Sequence, residues 1–352
     1  MKAFTRYIGL IGALSVALTT AACQTPEPEA PPPPPPPPLP AVALNSSVAE
    51  AAAIYLAYIQ DSSSMGASFD DGSAVRGSLL RASAYEPAQL SRGMVAYAAV
   101  VALQSPEFVN GVRALASDPA NRDTLLRQLV ADPAYAVQLP GAPHAAGLIA
   151  AQIQSHGQGM FTAGSAIKQT AYDIQHQRWS AQHVTDREER LEQVRVLGVT
   201  PLNPDYNASA TLHQAALTGQ GLGLPAAEAT APYTQAVVRG LALAAIAAIG
   251  HGGDDNRTIT DSMLNEPVSA DCLSFTRLMI MQCLAASRPH YEEIFCLGQH
   301  LMMDTAQCII DSAGPVTMIQ PASDPLLTAD QPVLEPAGEV AVAASAEAQT
   351  PN

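Results

Sequence analysis

Residues 272–308 read CLSFTRLMIMQCLAASRPHYEEIFCLGQHLMMDTAQC and contain four of the five cysteines in this chain. The first two of these cysteines lie in one apolar segment and the last two in another, with Ser287-Arg288-Pro289 between the segments. Apolar residues recur at helical spacing in both segments, and the proline favours a turn where they meet. The stretch therefore predicts an antiparallel helical hairpin at about residues 269–312.

The spacing of the four cysteines predicts how they pair. In an antiparallel hairpin, residues face each other when their numbers sum to a constant, and the sums for Cys272–Cys308 and Cys283–Cys296 agree within one residue. The crossed pairing, Cys272–Cys296 with Cys283–Cys308, would need two different registers of the same hairpin. Cys272 and Cys283 are eleven positions apart, and along one helix this is about 16 Å, far beyond disulfide reach. We therefore predict two nested disulfides.

The front of the chain predicts export. Two basic residues precede an apolar run from Tyr7 to Leu18, which is too short to span a bilayer and is typical of a secretory signal peptide. The small residues of Thr20-Ala21-Ala22 then stand directly before Cys23. This arrangement resembles the lipobox of bacterial lipoproteins. The resemblance implies that residues 1–22 are removed by signal peptidase II and that Cys23 becomes the acylated N-terminus.

Acylation of Cys23 would also explain the odd number of cysteines, because it leaves four for two disulfides. The alternative is an ordinary secreted protein that is cut after Ala22 and keeps Cys23 free. A zinc site formed by the other four cysteines fits less well. The chain contains no C-x-x-C pair, and an exported protein meets oxidising conditions that favour disulfides.

Two segments of biased composition flank the rest of the chain. Residues 23–44 form a linker with eight consecutive prolines, Pro31 to Pro38, which predict a polyproline II rod. At about 3.1 Å per residue, the proline-rich part would extend roughly 50 Å as a spacer. A proline ligand for an SH3-like partner is the alternative. Residues 320–352 are rich in proline and alanine, acidic and without a basic residue, so they predict a disordered tail.

Residues 45–319 predict an all-α, Ala-rich multi-helix bundle in one or two lobes, with the disulfide-stapled hairpin at its C-terminal end. Aromatic residues make up only 5% of the chain, and abundant alanine favours closely packed helices over a β-sandwich or barrel. Residues 241–249 are apolar but too short for a membrane span, so we expect a central buried helix there. A long helical stretch from about 143 to 182 has small residues that permit close packing, with an interruption or bend near Gly157 and Gly159.

Helix starts are marked by capping signals. Ser47-Val48-Ala49-Glu50 and Thr185-Asp186-Arg187-Glu188 have the spacing of capping boxes. Ser105-Pro106, Asp118-Pro119 and Asp132-Pro133 each place an N-cap acceptor before a proline at the first helical position. We expect a helix to begin at each of these five places.

The charge of the chain excludes several functions. The formal net charge is −15, and removal of the two basic residues of the signal peptide would make it −17, with Lys168 as the only lysine left. Binding to nucleic acid needs a basic surface, which this composition does not supply. The same deficit disfavours electrostatic binding to anionic lipid, so we expect the membrane link to be the acyl chains on Cys23.

No catalytic set is visible in the sequence. Gly250-His251-Gly252-Gly253 resembles the His-Gly-Gly oxyanion loop of esterases, but it follows a predicted helix, and the chain has no G-x-S-x-G motif. We therefore expect a helix C-terminal loop there. His176 and His183, with Trp179 between them, would share a helical face about 10 Å apart, so metal binding would need further ligands. A partly exposed contact face is the simpler interpretation, and we expect no cofactor.

These observations favour a non-enzymatic, lipid-anchored envelope protein that presents a helical domain on a polyproline stalk. An envelope hydrolase that uses His156, His176, His183 or His251 is the first alternative, and a small-ligand binding protein is the second. The partners would be the bilayer, through acylated Cys23, and an unknown envelope protein or cell-wall component. By the lipoprotein resemblance, Gln24 after the cysteine implies the outer membrane of a Gram-negative bacterium, with the domain facing the periplasm or the cell surface.

The lipobox resemblance predicts that Cys23→Ser abolishes acylation. The variant protein should be released from membranes or left uncleaved, because serine offers no sulfur for the diacylglyceryl group. Labelling with radioactive palmitate and membrane fractionation measure both effects. Equal labelling and equal membrane extraction of the two proteins would contradict the prediction.

Overall fold

Helices make up nearly all the regular structure in the part of the chain that the structure describes. The structure is a computed structural model and describes residues 38–315 and 317–318. The predictions for the signal peptide, Cys23, most of the proline run and the C-terminal tail lie outside the described residues. Among the described residues, no helix is both long enough and apolar enough to cross a membrane.

The prediction of an all-α fold is confirmed. One pair of two-residue antiparallel strands, β1 (Ala227–Glu228) and β2 (Thr317–Met318), joins two loops. A 3₁₀ turn spans Pro133–Gln138, another spans Asp254–Asn256, and a π-helical segment spans Leu297–Met303. The α-helices of the described residues are α1 Ser46–Ser63, α2 Gly72–Ala82, α3 Pro87–Ala102, α4 Pro106–Leu115, α5 Pro119–Ala131, α6 Ala142–Ile174, α7 Arg187–Leu197, α8 Tyr206–Thr218, α9 Gln235–Ala248, α10 Arg257–Met263, α11 Pro267–Ala286, α12 His290–Cys296 and α13 Asp304–Ala313.

Helix α6 is the longest element, and its glycines let neighbouring backbones approach it. A Cβ atom at Gly157 would lie 2.6 Å from Ile310 of α13, and one at Gly164 would lie 2.8 Å from Met302 of the π-helical segment. Gly147 faces the backbone of β1 in the same way. The predicted interruption is wrong, because the helix runs unbroken through Gly157 and ends at Ile174 rather than near residue 182.

Helix α9 is the buried helix that residues 241–249 predicted. Twelve of its 14 residues are buried, which leaves only Gln235 and Arg239 in contact with solvent. It packs closely on α3, since a Cβ atom at Gly240 would lie 2.6 Å from the Ala98 Cβ. One continuous hydrophobic core then extends from α1 and α3 through α9 to the C-terminal hairpin.

The three Ser-Pro and Asp-Pro signals each begin a helical element. The side chains of Ser105 and Asp118 accept from backbone amides in the first turns of α4 and α5, and Asp132 does so for the 3₁₀ turn that follows. The two predicted capping boxes are wrong. The side chain of Asn45, not Ser47, caps α1. Asp186, not Thr185, stands at the N-cap position of α7, and no side chain caps this helix. The carboxylate of Asp186 is bound to Arg76 and Arg190 instead.

The disulfide-stapled hairpin is confirmed, with a second arm less regular than predicted. Helix α11 forms the first arm, and α12, the π-helical segment and α13 form the second. Cys272 pairs with Cys308, and Cys283 pairs with Cys296. The Cα–Cα distances of 5.8 and 5.7 Å are ordinary for disulfides.

The π-helical segment explains why the cysteine spacings in the two arms differ by one residue. Cys272 and Cys283 are eleven positions apart, which brings an α-helix to within about 20° of a whole number of turns. Cys296 and Cys308 are twelve positions apart, which would turn an α-helix about 100° further and point one sulfur away. A π turn takes in one extra residue, so both cysteines face α11.

Arg277 of α11 is buried, and no carboxylate among the described residues forms an ion pair with it. Its guanidinium donates to the carbonyl oxygens of Ser83 and Val194, which lie at the C-terminal ends of α2 and α7. It also lies over the ring of Tyr85, 5.2 Å from the centroid. The partial negative charges of two helix C-termini therefore stabilise this cation. Gly198 leaves space for it, because a Cβ there would overlap the guanidinium.

The segment that leads into α1 is bound to the end of α9. The Asn45 amide donates to the Gly252 carbonyl at 2.7 Å, and Arg113 of α4 donates to the carbonyls of both Pro40 and Ala248 at 2.8 Å. Gly250 has a φ of 83°, which a glycine after a helix readily adopts. The loop at residues 250–253 therefore binds the segment of residues 40–45 that precedes α1.

The π-helical segment predicts that one residue of the second arm is dispensable for disulfide pairing. Deletion of Met303 should leave Cys296 and Cys308 eleven positions apart in a regular α-helix, with both disulfides intact by non-reducing peptide mapping. Deletion of the exposed Gln282 is the matched control, because it rotates Cys272 relative to Cys283 by about 100°. Loss of the Cys272–Cys308 peptide pair in the first variant, or retention of both pairs in the second, would contradict this explanation.

Candidate binding groove

A groove lies between the C-terminal half of α6 and the tip of the disulfide-stapled hairpin. Its volume is about 450 Å³, within the range of small-molecule sites. The walls are mostly apolar, with the rings of Tyr172 and Phe295 in edge-to-face contact at 6.1 Å and the Cys283–Cys296 disulfide between the helical arms. Polar groups lie toward one end, on Gln175, Ser287, Tyr291 and Glu292.

Lys168 of α6 lies one helical turn before Tyr172 and beside Phe295, and both of these residues line the groove. Its Nζ donates to Oε1 of Gln299 at 2.7 Å and lies 5.6 Å from the centroid of the Phe295 ring. Residues three and four apart share a helix face, so Lys168 lies in line with Ala171 and Tyr172 on the groove side of α6. The Lys168–Gln299 hydrogen bond therefore bridges α6 and the hairpin.

The π-helical segment positions the polar groups around Lys168. Gln299 donates from Nε2 to Asp304 Oδ1 at 2.9 Å, which fixes its carbonyl oxygen toward Lys168. The other carboxylate oxygen of Asp304 is 2.8 Å from Nδ1 of His300, whose ring meets the edge of Phe295 at 6.2 Å. Gly298 allows this arrangement, since a Cβ there would lie 2.5 Å from the Lys168 backbone nitrogen.

A buried ionic cluster attaches α12 to α7 behind the groove. Arg190 pairs with both Glu293 and Asp186, and His290 Nδ1 lies 3.5 Å from Glu293 Oε2. Burial raises the pKa of Glu293 to about 7, although the neighbouring Arg190 acts in the opposite direction. Burial also lowers the pKa of His290, and the charge of Arg190 adds to that effect. The cluster orders the turn of the hairpin.

The four histidines considered for catalysis are not brought together with a nucleophile and an acid. His156 of α6 is packed among the rings of Tyr55 and Tyr97 at 5.7 and 5.2 Å, and burial lowers its pKa to about 4. His251 lies in the loop that binds the N-terminal segment. These two environments indicate roles in packing and loop structure.

The predicted helical face of His176 and His183 is wrong. Helix α6 ends at Ile174, and both histidines lie exposed in irregular chain beyond it. The helix ends because residues 180–184 turn to bond the hairpin, where Val184 donates to the Arg288 carbonyl and Tyr291 to the Ser180 carbonyl. No group of three potential metal ligands occurs among residues 38–315.

A serine and a histidine do meet elsewhere, but not as a catalytic pair. Ser105 Oγ lies 2.8 Å from Nδ1 of His144, a distance suited to a nucleophile and its base. Ser105 is fully buried, however, and its oxygen also accepts from the Phe108 amide as the N-cap of α4. A substrate cannot reach this hydroxyl, so the contact is structural.

The residues around Lys168, beside the groove, were not predicted as a site. Two signals were available in the sequence: Lys168 is the only lysine outside the signal peptide, and His300 and Asp304 stand four positions apart. Neither signal locates the groove, because Lys168 and Gln299 are 131 positions apart in the chain. No family model, curated protein or solved structure matches the chain.

The burial of His156 predicts a pH-dependent stability. Its pKa falls from 6.5 to about 4 on folding, so its stabilising contribution is complete above pH 6.5 and is lost as the pH falls toward 4. As the pH falls between these limits, the free energy of unfolding of the wild type should decrease by up to about 3 kcal/mol relative to that of His156→Gln, whose side chain cannot titrate. Urea unfolding at a series of pH values measures this difference.

Two comparisons isolate the effect of His156. Glu293 acts in the opposite sense, since its stabilising contribution is lost as the pH rises from 4.5 toward 7. That contribution is common to both proteins and cancels in the difference. His176→Gln removes an exposed histidine and should follow the wild-type curve. Parallel curves for the wild type and His156→Gln would show that His156 is not buried as a neutral side chain.

Proposed function

We propose that this protein is a lipid-anchored envelope lipoprotein with a non-enzymatic structural or interaction role. In this proposal, acylated Cys23 holds the chain in the membrane and the polyproline run carries the helical domain away from it. The lipobox resemblance and the proline run support the anchor and the stalk. The observation that carries the interaction role is an exposed apolar face on the disulfide-stapled hairpin.

That face lies on α11. Val268, Phe275 and Leu278 are 66%, 61% and 53% exposed and lie within about 80° on one side of the helix. The opposite side is buried and includes Leu273 and Ile280. Both disulfides connect α11 to the second arm, so the face is held in a fixed position. Clustered large apolar side chains on a rigid surface are typical of a contact with a partner.

The attachment of the N-terminal segment supports the same role. Arg113 and the Gly252 loop bind residues 40–45 directly after the predicted stalk. A domain attached in this way is held at one defined point, as presentation to a partner requires. The proposed partners are the bilayer, through Cys23, and an envelope protein or cell-wall component. The proposed location is the outer membrane of a Gram-negative bacterium, with the domain facing the periplasm or the cell surface.

The structure supports the two alternative functions, a hydrolase and a small-ligand binding protein, to different degrees. For a hydrolase, His156, His176, His183 or His251 would need a nucleophile and an acid nearby, and no contact of the described residues favours such a set. A role in binding small ligands is favoured by the groove beside the Cys283–Cys296 disulfide. This second candidate is compatible with the first, because the groove and the α11 face share no residue.

A complementation experiment tests the proposed role. In a strain that lacks the protein and shows an envelope defect, measured as detergent sensitivity, we expect Phe275→Glu with Leu278→Glu to fail to restore resistance. The two charges would oppose burial of the α11 face against a partner. Single alanine variants of His156, His176, His183 and His251 should restore it.

Tyr206→Glu is the matched control, because it places a charge on a side chain that is 76% exposed and distant in sequence from the hairpin. Circular dichroism and peptide mapping verify that each variant is folded with both disulfides. Full complementation by the Phe275/Leu278 variant would contradict the interaction role. Loss of complementation by one folded histidine variant would instead favour the hydrolase.

A further inference from the structure

Lys168 is a cation without an anionic partner in an acidic protein. Its ammonium group has three donors, and the described contacts use one of them, toward the neutral Oε1 of Gln299. Among residues 38–315, no carboxylate forms an ion pair with it, whereas many of the arginines do pair with acids. The carboxylate of Asp304 is close by, but it is occupied by Gln299 and His300.

The ammonium is held in position. Asp304 orients Gln299, Gln299 binds Lys168, and the Phe295 ring lies beneath the charge at 5.6 Å. A cation restrained in this way loses little side-chain entropy when it binds an anion. Its remaining N–H donors can form charge-assisted hydrogen bonds with a carboxylate.

The groove next to Lys168 offers a matching apolar surface. Tyr172 is 48% exposed, an unusual amount for a large side chain beside a cavity, and its ring contacts the edge of Phe295. The cavity of about 450 Å³ continues along these rings to the Cys283–Cys296 disulfide. An aliphatic or aryl group in this space would bury apolar surface against Tyr172, Phe295 and the disulfide.

The charges at the groove define how a ligand would lie. Lys168 places a positive charge beside the Phe295 wall of the groove, and Glu292, which lines the groove near the hairpin turn, places a negative charge there. A ligand with one carboxylate is therefore attracted toward Lys168 and repelled by Glu292. Because the whole chain has a net charge of −15, long-range steering does not favour an anion, and local contacts must select it.

We propose that this groove binds a small amphiphilic carboxylate, with its aliphatic or aryl body against Tyr172 and Phe295 and its carboxylate on Lys168. This inference goes beyond the proposed envelope role and does not depend on the lipid anchor. The ligand class is that of medium-chain fatty acids and arylalkanoic acids.

Calorimetric titration tests the proposal with two probes of nearly equal shape, 4-phenylbutyrate and 4-phenylbutyramide. The protein is the full-length chain with Cys23→Ser, so that no detergent competes for the groove. We expect the carboxylate to bind at least about tenfold more tightly than the amide, because a charge-assisted hydrogen bond is stronger than a neutral one. Lys168→Gln should remove this preference, and Lys168→Arg should keep most of it.

Matched controls separate the groove from the general surface. Tyr172→Ala should weaken both probes, whereas Tyr206→Ala removes a more exposed tyrosine elsewhere and should weaken neither. Arg195→Gln removes one positive charge from the exposed face of α7 and should leave the carboxylate preference intact. These variants alter partly or fully exposed side chains, so the fold should be retained, and circular dichroism verifies it.

Three results would overturn the proposal. Equal binding of the acid and the amide by the wild type would show that the groove does not recognise the charge. An unchanged preference in Lys168→Gln would place the carboxylate elsewhere. Absence of binding by 4-phenylbutyrate at millimolar concentration would show that the groove does not accept this class of ligand. None of these results depends on whether Cys23 is acylated, so the two proposals can fail separately.

Discussion

The C-terminal third of the chain depends on one constraint, which is that two disulfides must form between helical arms whose cysteine spacings differ. The second arm has one residue more than the first between its cysteines, and an α-helix cannot place both of its sulfurs toward α11. The π-helical segment Leu297–Met303 accommodates that residue. It also brings Gly298 against α6 and Gln299 to Lys168. The same irregularity that permits the second disulfide therefore positions Lys168 beside the groove.

Arginines stabilise the ends of helices throughout this acidic chain. Among the described residues, five arginines pair with carboxylates: Arg76, Arg81, Arg92, Arg190 and Arg195. Several other arginines donate to carbonyl oxygens in the last turns of neighbouring helices, where the macrodipole is negative. These contacts are Arg113 with Ala248, Arg122 with Ala116, Arg187 with Ala285, and Arg277 with Ser83 and Val194. Each of these arginines therefore connects its own helix to the C-terminal end of another.

The sequence predicted those features that depend on local pattern or simple geometry. Helices that begin after Ser105 and Asp118 follow from an acceptor next to a proline, and the disulfide pairing follows from position numbers alone. Features that depend on distant contacts were not predictable. The end of α6 at Ile174 is determined by backbone bonds to the hairpin turn more than one hundred positions later. The contact beside the groove requires Lys168 and Gln299 to meet across 131 positions, and the Asp186 carboxylate at the start of α7 binds Arg76 and Arg190 instead of capping the helix.

The attachment of the N-terminal segment has a mechanical consequence. Any tension applied to the chain ahead of Pro38 reaches the domain first at residues 40–45. Hydrogen bonds hold these residues. Arg113 of α4 binds the Pro40 carbonyl, the Asn45 amide binds the Gly252 carbonyl beyond α9, and His213 of α8 binds the Leu44 carbonyl. These bonds come from three separate parts of the domain and hold three positions, residues 40, 44 and 45. A pulling force on residues 38–45 would therefore have to break these bonds before it could unwind α1.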